Sequence, residues 1–172
     1  GYNESIRAMA KVISLHPDVK YLVAGEGHDR PKFENLINDL GLQNHIFLLG
    51  NRSDVPSLMA FSTIFLFPSH YEGQGGALVE AMILGKPIIS SKIPVIEESV
   101  EDNYSALLFM PGSVPDISSK ILWALENPAA MDKYGNNARI AAEKRFNIEN
   151  VVQMHEKLYN KIVKNKPLVL SV

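Results

Sequence analysis

The sequence predicts an α/β domain built on a doubly wound parallel sheet, and two observations support this prediction. Short apolar segments alternate about five times with segments of helical periodicity. The apolar segments show little polar alternation, as expected for strands that helices cover on both faces. At 172 residues the chain is long enough for one sizeable core, so we expect a single domain over residues 1–172.

The first half of the chain begins this alternation. Ile6, Met9 and Ile13 recur at helical spacing, with Asn3 as a suitable N-cap and Pro17 as a stop. The elements predicted next are a strand at 20–25, a helix at 31–41, a strand at 45–50, a short helix at 53–61 and a strand at 63–68.

The second half starts with a glycine-rich turn and ends in helices. The elements predicted there are, in order, a helix at 77–85, strands at 86–90 and 105–109, a helix that starts at a capping sequence over 113–116, a helix at 129–145 and a helix after Asn147. The C-terminal residues 166–172 are apolar and have no evident place in the sheet.

Composition excludes several classes of function. The net charge is −2 with no block of like charges, which argues against a nucleic-acid partner. The absence of cysteine excludes disulfides, thiolate metal sites and thiol nucleophiles. No apolar run approaches the roughly 18 to 20 residues that span a bilayer. The five histidines, at positions 16, 28, 45, 70 and 155, have no metal-ligand spacing, so we predict no metal site.

The stretch HYEGQGGALVEAM, residues 70–82, is the strongest candidate for a site. It follows a predicted strand, and ligands of open α/β sheets bind at the carboxyl ends of strands. The helix near Gly76 would point free N–H groups at an anion such as phosphate. Glu80, one turn into this helix, could accept hydrogen bonds from ribose hydroxyls, and Glu72 could contact a sugar or a developing positive charge. A tight turn with a solvated Glu80 and a turn-capping Glu72 explains the same residues without a ligand.

Residues 68–90, PSHYEGQGGALVEAMILGKPIIS, resemble the signature of the retaining GT-B glycosyltransferases of the large family four. The hallmark is two glutamates separated by seven residues, here Glu72 and Glu80. The positions that match the family pattern are Pro68, Ser69, Glu72, Gly73, Gly75, Glu80, Ala81, Met82, Gly85 and Pro87. The resemblance extends over nearly the whole chain. This chain departs from the pattern at Gln74, where an aromatic residue is common, and at Asn103 and Ala106, where glycine is usual.

The resemblance implies a role for each residue of the site. Glu80 is expected to bind the ribose of a donor nucleotide, and Glu72 is expected to act as the catalytic residue at the transferred sugar. The other expected donor-binding residues are Gly75, Gly76, Ala77 and Leu78 in the turn, and Asn51 and Arg52 beside the base. The donor is expected to be a nucleotide-diphosphate sugar, linked to UDP or GDP, with no cofactor and no metal ion.

The resemblance also implies that this chain is a fragment, the Rossmann-like GT-B C-terminal domain of a two-domain enzyme. We expect its first strand to be missing, together with an Arg and a Lys of the donor site and the whole N-terminal domain. That domain is its expected partner and carries the acceptor site, so the fragment alone should be inactive. The expected acceptor is a carbohydrate or a lipid-linked sugar in polysaccharide biosynthesis. The expected location is cytoplasmic, with membrane contact at the inner face for the parent enzyme, and Leu168–Leu170 are expected to pack on the other half.

Two alternatives stay open. The first is a non-catalytic dinucleotide- or nucleotide-binding module. Against it, no acidic residue stands about 20 positions after the glycine turn, where residues 90–94 lie. The second is an interaction domain that self-associates through an exposed sheet edge and its apolar tail.

Overall fold

The computed structural model describes residues 1–165, and the expectation for Leu168–Leu170 lies outside them. Helices and strands alternate from the first residues to Phe109, and three helices follow. The elements are α1 (Tyr2–Leu15), β1 (Tyr21–Ala24), α2 (Arg30–Asp39), β2 (Ile46–Gly50), α3 (Val55–Phe61), β3 (Phe65–Phe67), α4 (Gly76–Ile83), β4 (Ile88–Ser91), α5 (Pro94–Glu97), β5 (Leu107–Phe109), α6 (Val114–Glu126), α7 (Pro128–Arg145) and α8 (Ile148–Asn165).

The five strands of residues 1–165 form two pieces of sheet, and all pairing within each piece is parallel. β1 pairs with β2, and Leu22 lies opposite Phe47. β3, β4 and β5 form the second piece in that order, and Leu66 lies opposite Ile89. Within the described residues no hydrogen bonds join β1 to β3, so each piece has an unpaired edge.

Helices cover both faces of the sheet, which confirms the predicted α/β class. Successive strand residues point to opposite faces, so Ile89 joins one apolar cluster and Ile88 joins another. The first cluster lies under α1 and α6, and the second lies under α4 and α7. Both isoleucines are fully buried, as expected for a continuous apolar strand in a parallel sheet.

Helix α4, which follows the glycine-rich turn, is held from behind by α7. The turn after α4 contains Gly85 with φ +64°, and Gly135 of α7 packs directly on it. A Cβ atom at Gly135 would lie 2.3 Å from the carbonyl oxygen of Gly85, so only glycine allows this approach of the two backbones.

Some local predictions are confirmed and others are wrong. Asn3 is not the N-cap of α1, because the helix starts two residues earlier than predicted, at Tyr2, with Gly1 as its cap. The side chain of Asn3 accepts a hydrogen bond from Arg7 instead. Ser113 caps α6 as predicted and accepts a hydrogen bond from the N–H of Asp116. Asn103 takes the glycine-like conformation, with φ +58°. Helix α5 was not predicted.

Helix α8 is amphipathic, and its apolar side chains stay largely exposed. They include Ile148, Val152, Leu158, Tyr159 and Ile162. Over residues 1–165, no helix combines the length and the hydrophobicity that crossing a bilayer requires.

Candidate functional site

The glycine-rich turn lies between the carboxyl end of β3 and the start of α4. Gly75 is the N-cap of α4 and has φ +73°, a left-handed conformation that glycine adopts at little cost. Gly75 is buried, whereas Gly76 and Ala77 are exposed. The first N–H groups of a helix have no partner inside the helix. The turn therefore presents the N–H groups of Gly76 and Ala77, and the positive end of the α4 dipole, at the strand end.

Leu78 supports this turn from inside. Its side chain is fully buried, and its N–H donates to the carbonyl oxygen of Gly75 over 2.9 Å. Val79 donates to the same oxygen over 3.2 Å. Because the N–H of Leu78 is already paired, its expected contact with a donor would be indirect, through the conformation of the turn.

Glu72 is half-buried before the helix and is tied to the end of β3. The hydroxyl of Ser69 donates a 2.7 Å hydrogen bond to Oε1 of Glu72. The phenol of Tyr2, at the start of α1, is near enough to the same carboxylate for its charge to act on it. Burial raises the pKa of Tyr2, and the charge of Glu72 raises it further. The Tyr2 hydroxyl therefore stays protonated at neutral pH.

Glu80 points from the exposed face of α4. Among the side-chain hydrogen bonds and ion pairs of residues 1–165, none involves Glu80, so its carboxylate is available to a ligand. Glu72 and Glu80 have the predicted positions relative to α4. One precedes the helix and is held in place, and the other lies one turn inside the helix and faces solvent.

Asn51 and Arg52 follow the carboxyl end of β2, in the piece of sheet that β1 and β2 form. Both are exposed, and the guanidinium of Arg52 makes two 2.7 Å hydrogen bonds to the carboxylate of Asp54. These hydrogen bonds raise the pKa of Arg52 and lower the pKa of Asp54. The Arg52 side chain is therefore occupied, and the backbone of this loop is the part that remains open to a ligand.

A cleft of about 550 Å³ opens between the start of α1 and the loop after β1. It is lined by residues 1–4 and 23–30, with Lys32, Phe33, Leu48 and His70. Residues 21–27, YLVAGEG, were identified from the sequence as a strand and turn, but no site residue was predicted there, although Gly25–Glu26–Gly27 after a strand was a usable signal.

Arg30 organises the wall of this cleft. Its guanidinium contacts Glu26 at 3.0 Å and Glu34 at 2.7 Å, and it donates to the carbonyl oxygen of Leu48 at 3.0 Å. These contacts tie the loop after β1 to helix α2 and to strand β2. The shape of the cleft therefore depends on residues 18 positions apart along the chain.

His70 connects the glycine-rich turn to α1. Its Nε2 lies 3.5 Å from Oε2 of Glu4. Burial alone would raise the pKa of Glu4, but a hydrogen bond to its own backbone and the nearby His70 lower this pKa overall. The contact brings the start of α1 beside the carboxyl end of β3. In residues 1–165, no three acidic, histidine or cysteine side chains are grouped so that they could hold a metal ion.

Each predicted residue follows the carboxyl end of a strand or lies in the helix after it. The turn with Glu72 and the start of α4 with Glu80 follow β3, and the loop with Asn51 and Arg52 follows β2 in the other piece of sheet. This arrangement offers a helix N-terminus for an anion and two carboxylates for hydroxyl groups, which is the chemistry of a phosphorylated sugar or nucleotide.

Known proteins resemble this chain in sequence and in structure. The poly(ribitol-phosphate) alpha-N-acetylglucosaminyltransferase of Staphylococcus aureus is 27% identical over 150 residues, which cover 87% of this chain and 30% of that protein. Anabaena HepE, solved with UDP and also with UDP-glucose, superposes with a TM-score of 0.84 at 29% identity in its UDP complex, over 93% of this chain and 45% of that chain. This chain therefore spans less than half the length of either protein.

A shorter solved structure also shares the fold. The C-terminal domain of the LpcC protein of Francisella tularensis has a TM-score of 0.75 at 24% identity, over 86% of this chain and 80% of that chain. The family model described as glycosyl transferases group 1 matches residues 1–141, most of the chain and the whole of the site. The chain belongs to the glycosyl transferases group 1 family.

Proposed function

We propose that this chain is the donor-binding half of a retaining glycosyltransferase, which transfers a sugar from a nucleotide-diphosphate sugar to a carbohydrate or lipid-linked acceptor. The observation that carries the proposal is the exposed start of α4 after β3, with Glu72 before it in the chain and the exposed Glu80 one turn after it. Family membership favours this function over a non-catalytic dinucleotide-binding module.

The start of α4 binds the diphosphate of the donor. The N–H groups of Gly76 and Ala77 and the helix dipole stabilise the negative charge that grows on the diphosphate as the bond to the sugar breaks. Glu80 accepts hydrogen bonds from the ribose hydroxyls, and the backbone at Asn51 and Arg52 borders the base. This division of roles needs no metal ion at the diphosphate.

Glu72 lies at the transferred sugar. Its carboxylate is positioned to accept hydrogen bonds from sugar hydroxyls and to stabilise the positive charge that develops on the sugar ring. The UDP and UDP-glucose complexes of Anabaena HepE support a nucleotide-sugar donor for this chain. The identity of the base is a matter for measurement, with UDP and GDP as the two candidates.

The gap in the sheet supports the fragment prediction. Gly1, at the start of α1, lies against the carbonyl of Pro68 after β3, and residues 1–4 also line the cleft after β1. A strand that led into α1 would therefore run between β1 and β3, parallel to both, as the first strand of a right-handed crossover. We assign to that upstream segment the Arg and the Lys that complete the donor site, and to an N-terminal domain the acceptor site. Membrane contact of the parent enzyme stays a prediction.

Calorimetric titration of the purified chain with UDP, GDP, ADP and NAD tests the proposal. We expect one nucleoside diphosphate to bind, and Glu80→Gln to weaken its binding by about 1 to 3 kcal/mol, the scale of a hydrogen bond to a charged group. Glu126→Gln, an exposed glutamate of α6 far along the chain, is the matched control. Preference for NAD would support the dinucleotide-binding alternative, and unchanged binding in Glu80→Gln would refute the ribose role.

A further inference from the structure

Ser69 is the one side chain of the signature segment that holds another signature residue. Its hydroxyl donates to Oε1 of Glu72 over 2.7 Å, a short distance for a hydrogen bond to a carboxylate. Both side chains are half-buried, so water competes only in part for this contact. Nothing in the assigned roles of the site accounts for the serine.

The two residues stand on backbone of very different rigidity. Ser69 follows Pro68, which is buried and whose carbonyl lies against Gly1, the N-cap of α1. Glu72 is followed at once by Gly73, Gln74 and Gly75, two of them glycines with wide conformational freedom. A glutamate on such a turn would sample many positions unless a contact held it.

We infer that Ser69 is the positioning residue for Glu72: its hydroxyl fixes one carboxylate oxygen to the rigid end of β3 and leaves the other oxygen to face the transferred sugar. This inference rests on the proposed function, because it gives Glu72 a ligand. A carboxylate that is held before the donor arrives loses less conformational entropy on binding and is already in place when charge develops.

The tyrosine beside Glu72 does not take over this role. Tyr2 senses the charge of Glu72, but among the hydrogen bonds of residues 1–165 none joins the two side chains. Within residues 1–165, Ser69 is thus the only side chain that donates a hydrogen bond to the Glu72 carboxylate. Removing its hydroxyl should release Glu72 without touching the start of α4 or Glu80.

The inference predicts that loss of the Ser69 hydroxyl weakens binding of the sugar and leaves binding of the nucleotide unchanged. A positioning residue for Glu72 affects the sugar part of the donor and spares the nucleotide part. The measured quantity is the dissociation constant of the nucleoside diphosphate divided by that of its sugar conjugate. This ratio rises with the contribution of the sugar to binding. Calorimetry with UDP against UDP-glucose and UDP-N-acetylglucosamine, and with GDP against GDP-mannose, gives this ratio for the wild-type chain and for each variant.

We expect Ser69→Ala to lower the ratio by about 5- to 10-fold, the scale of one ordinary hydrogen bond, because the serine acts on the sugar only through Glu72. The affinity for the free diphosphate should be unchanged. Ser69→Thr retains a hydroxyl and should retain the ratio. Ser14→Ala is the matched control, because this exposed serine of α1 bonds only to the carbonyl oxygen of Lys11 in its own helix. Glu80→Gln should weaken the binding of the diphosphate and of its sugar conjugate by the same factor.

Each other outcome overturns the inference. An unchanged ratio in Ser69→Ala, with a sugar contribution present in the wild type, would leave the proposed function intact and remove the role of Ser69. If Ser69→Ala lowered the affinity for both ligands equally and Ser69→Thr did not restore it, Ser69 would only support the fold. Absence of nucleotide binding in a protein that contains both this chain and the upstream segment would overturn the proposed function, and the inference with it.

Discussion

The left-handed conformation of Gly75 makes the start of α4 sensitive to a single methyl group. Alanine in this conformation costs about 1 to 2 kcal/mol, and it returns about 0.4 to 1 kcal/mol by restricting the unfolded chain. A Cβ at Gly75 would lie 3.4 Å from Cε1 of Phe67, an ordinary contact that adds no clash. Gly75→Ala should therefore lower the free energy of unfolding by roughly 1 kcal/mol.

Gly73 offers a control in the same turn. It is exposed, its φ is outside the left-handed range, and a Cβ there would meet nothing within 4 Å. Gly73→Ala has the same effect on the unfolded chain as Gly75→Ala, so the unfolded-state contribution cancels when the two variants are compared. The difference between them should equal the cost of the left-handed conformation, about 1 to 2 kcal/mol.

Urea unfolding followed by far-ultraviolet circular dichroism measures the free energy of unfolding of both variants. The comparison requires that the free energy fall with urea concentration at the same slope in both. The same samples titrated with the nucleoside diphosphate that binds best should show weaker binding for Gly75→Ala, because the N–H groups of Gly76 and Ala77 are then misdirected. If Gly73→Ala destabilises the chain as much as Gly75→Ala, the reasoning from the backbone conformation of Gly75 is refuted.

Two further predictions concern packing and charge. Gly135→Ala should lower the free energy of unfolding by about 1 to 3 kcal/mol, because its Cβ would meet the carbonyl oxygen of Gly85 at 2.3 Å. The control is Asn136→Ala, at the exposed neighbouring residue. Equal urea midpoints for the two variants would contradict the close approach of the two glycines. The pKa of Asp54 is lowered by Arg52, so the ion pair stabilises the folded chain above the ordinary carboxylate pKa and this contribution is lost as the pH falls through the lowered value. Asp54→Asn should therefore show a shallower loss of stability on acidification, and an identical acid profile in urea unfolding would refute the contribution.

Local pattern was sufficient for most of the helices and strands. The strands are short, continuous apolar segments bounded by glycine or proline, and the helices repeat apolar residues at helical spacing, so each could be read within a few residues. The turn before α4 was readable for the same reason, because a strand, several glycines and an apolar helix follow one another without interruption. Helix α5 escaped prediction because four residues are too few to show a period.

The sequence by itself determined the class of the fold, the family, and the two glutamates that flank the start of α4. These follow from the order and spacing of residues that are close along the chain. Only the tertiary structure decided that the sheet lies in two pieces, that Arg30 shapes a cleft with Leu48, and that Gly135 meets Gly85. Such contacts join residues far apart in sequence, and their geometry depends on how whole helices pack, which no local pattern specifies. The bond from Ser69 to Glu72 spans only three residues, yet it too needed the structure, because a glycine-rich turn allows many side-chain positions and packing selects one.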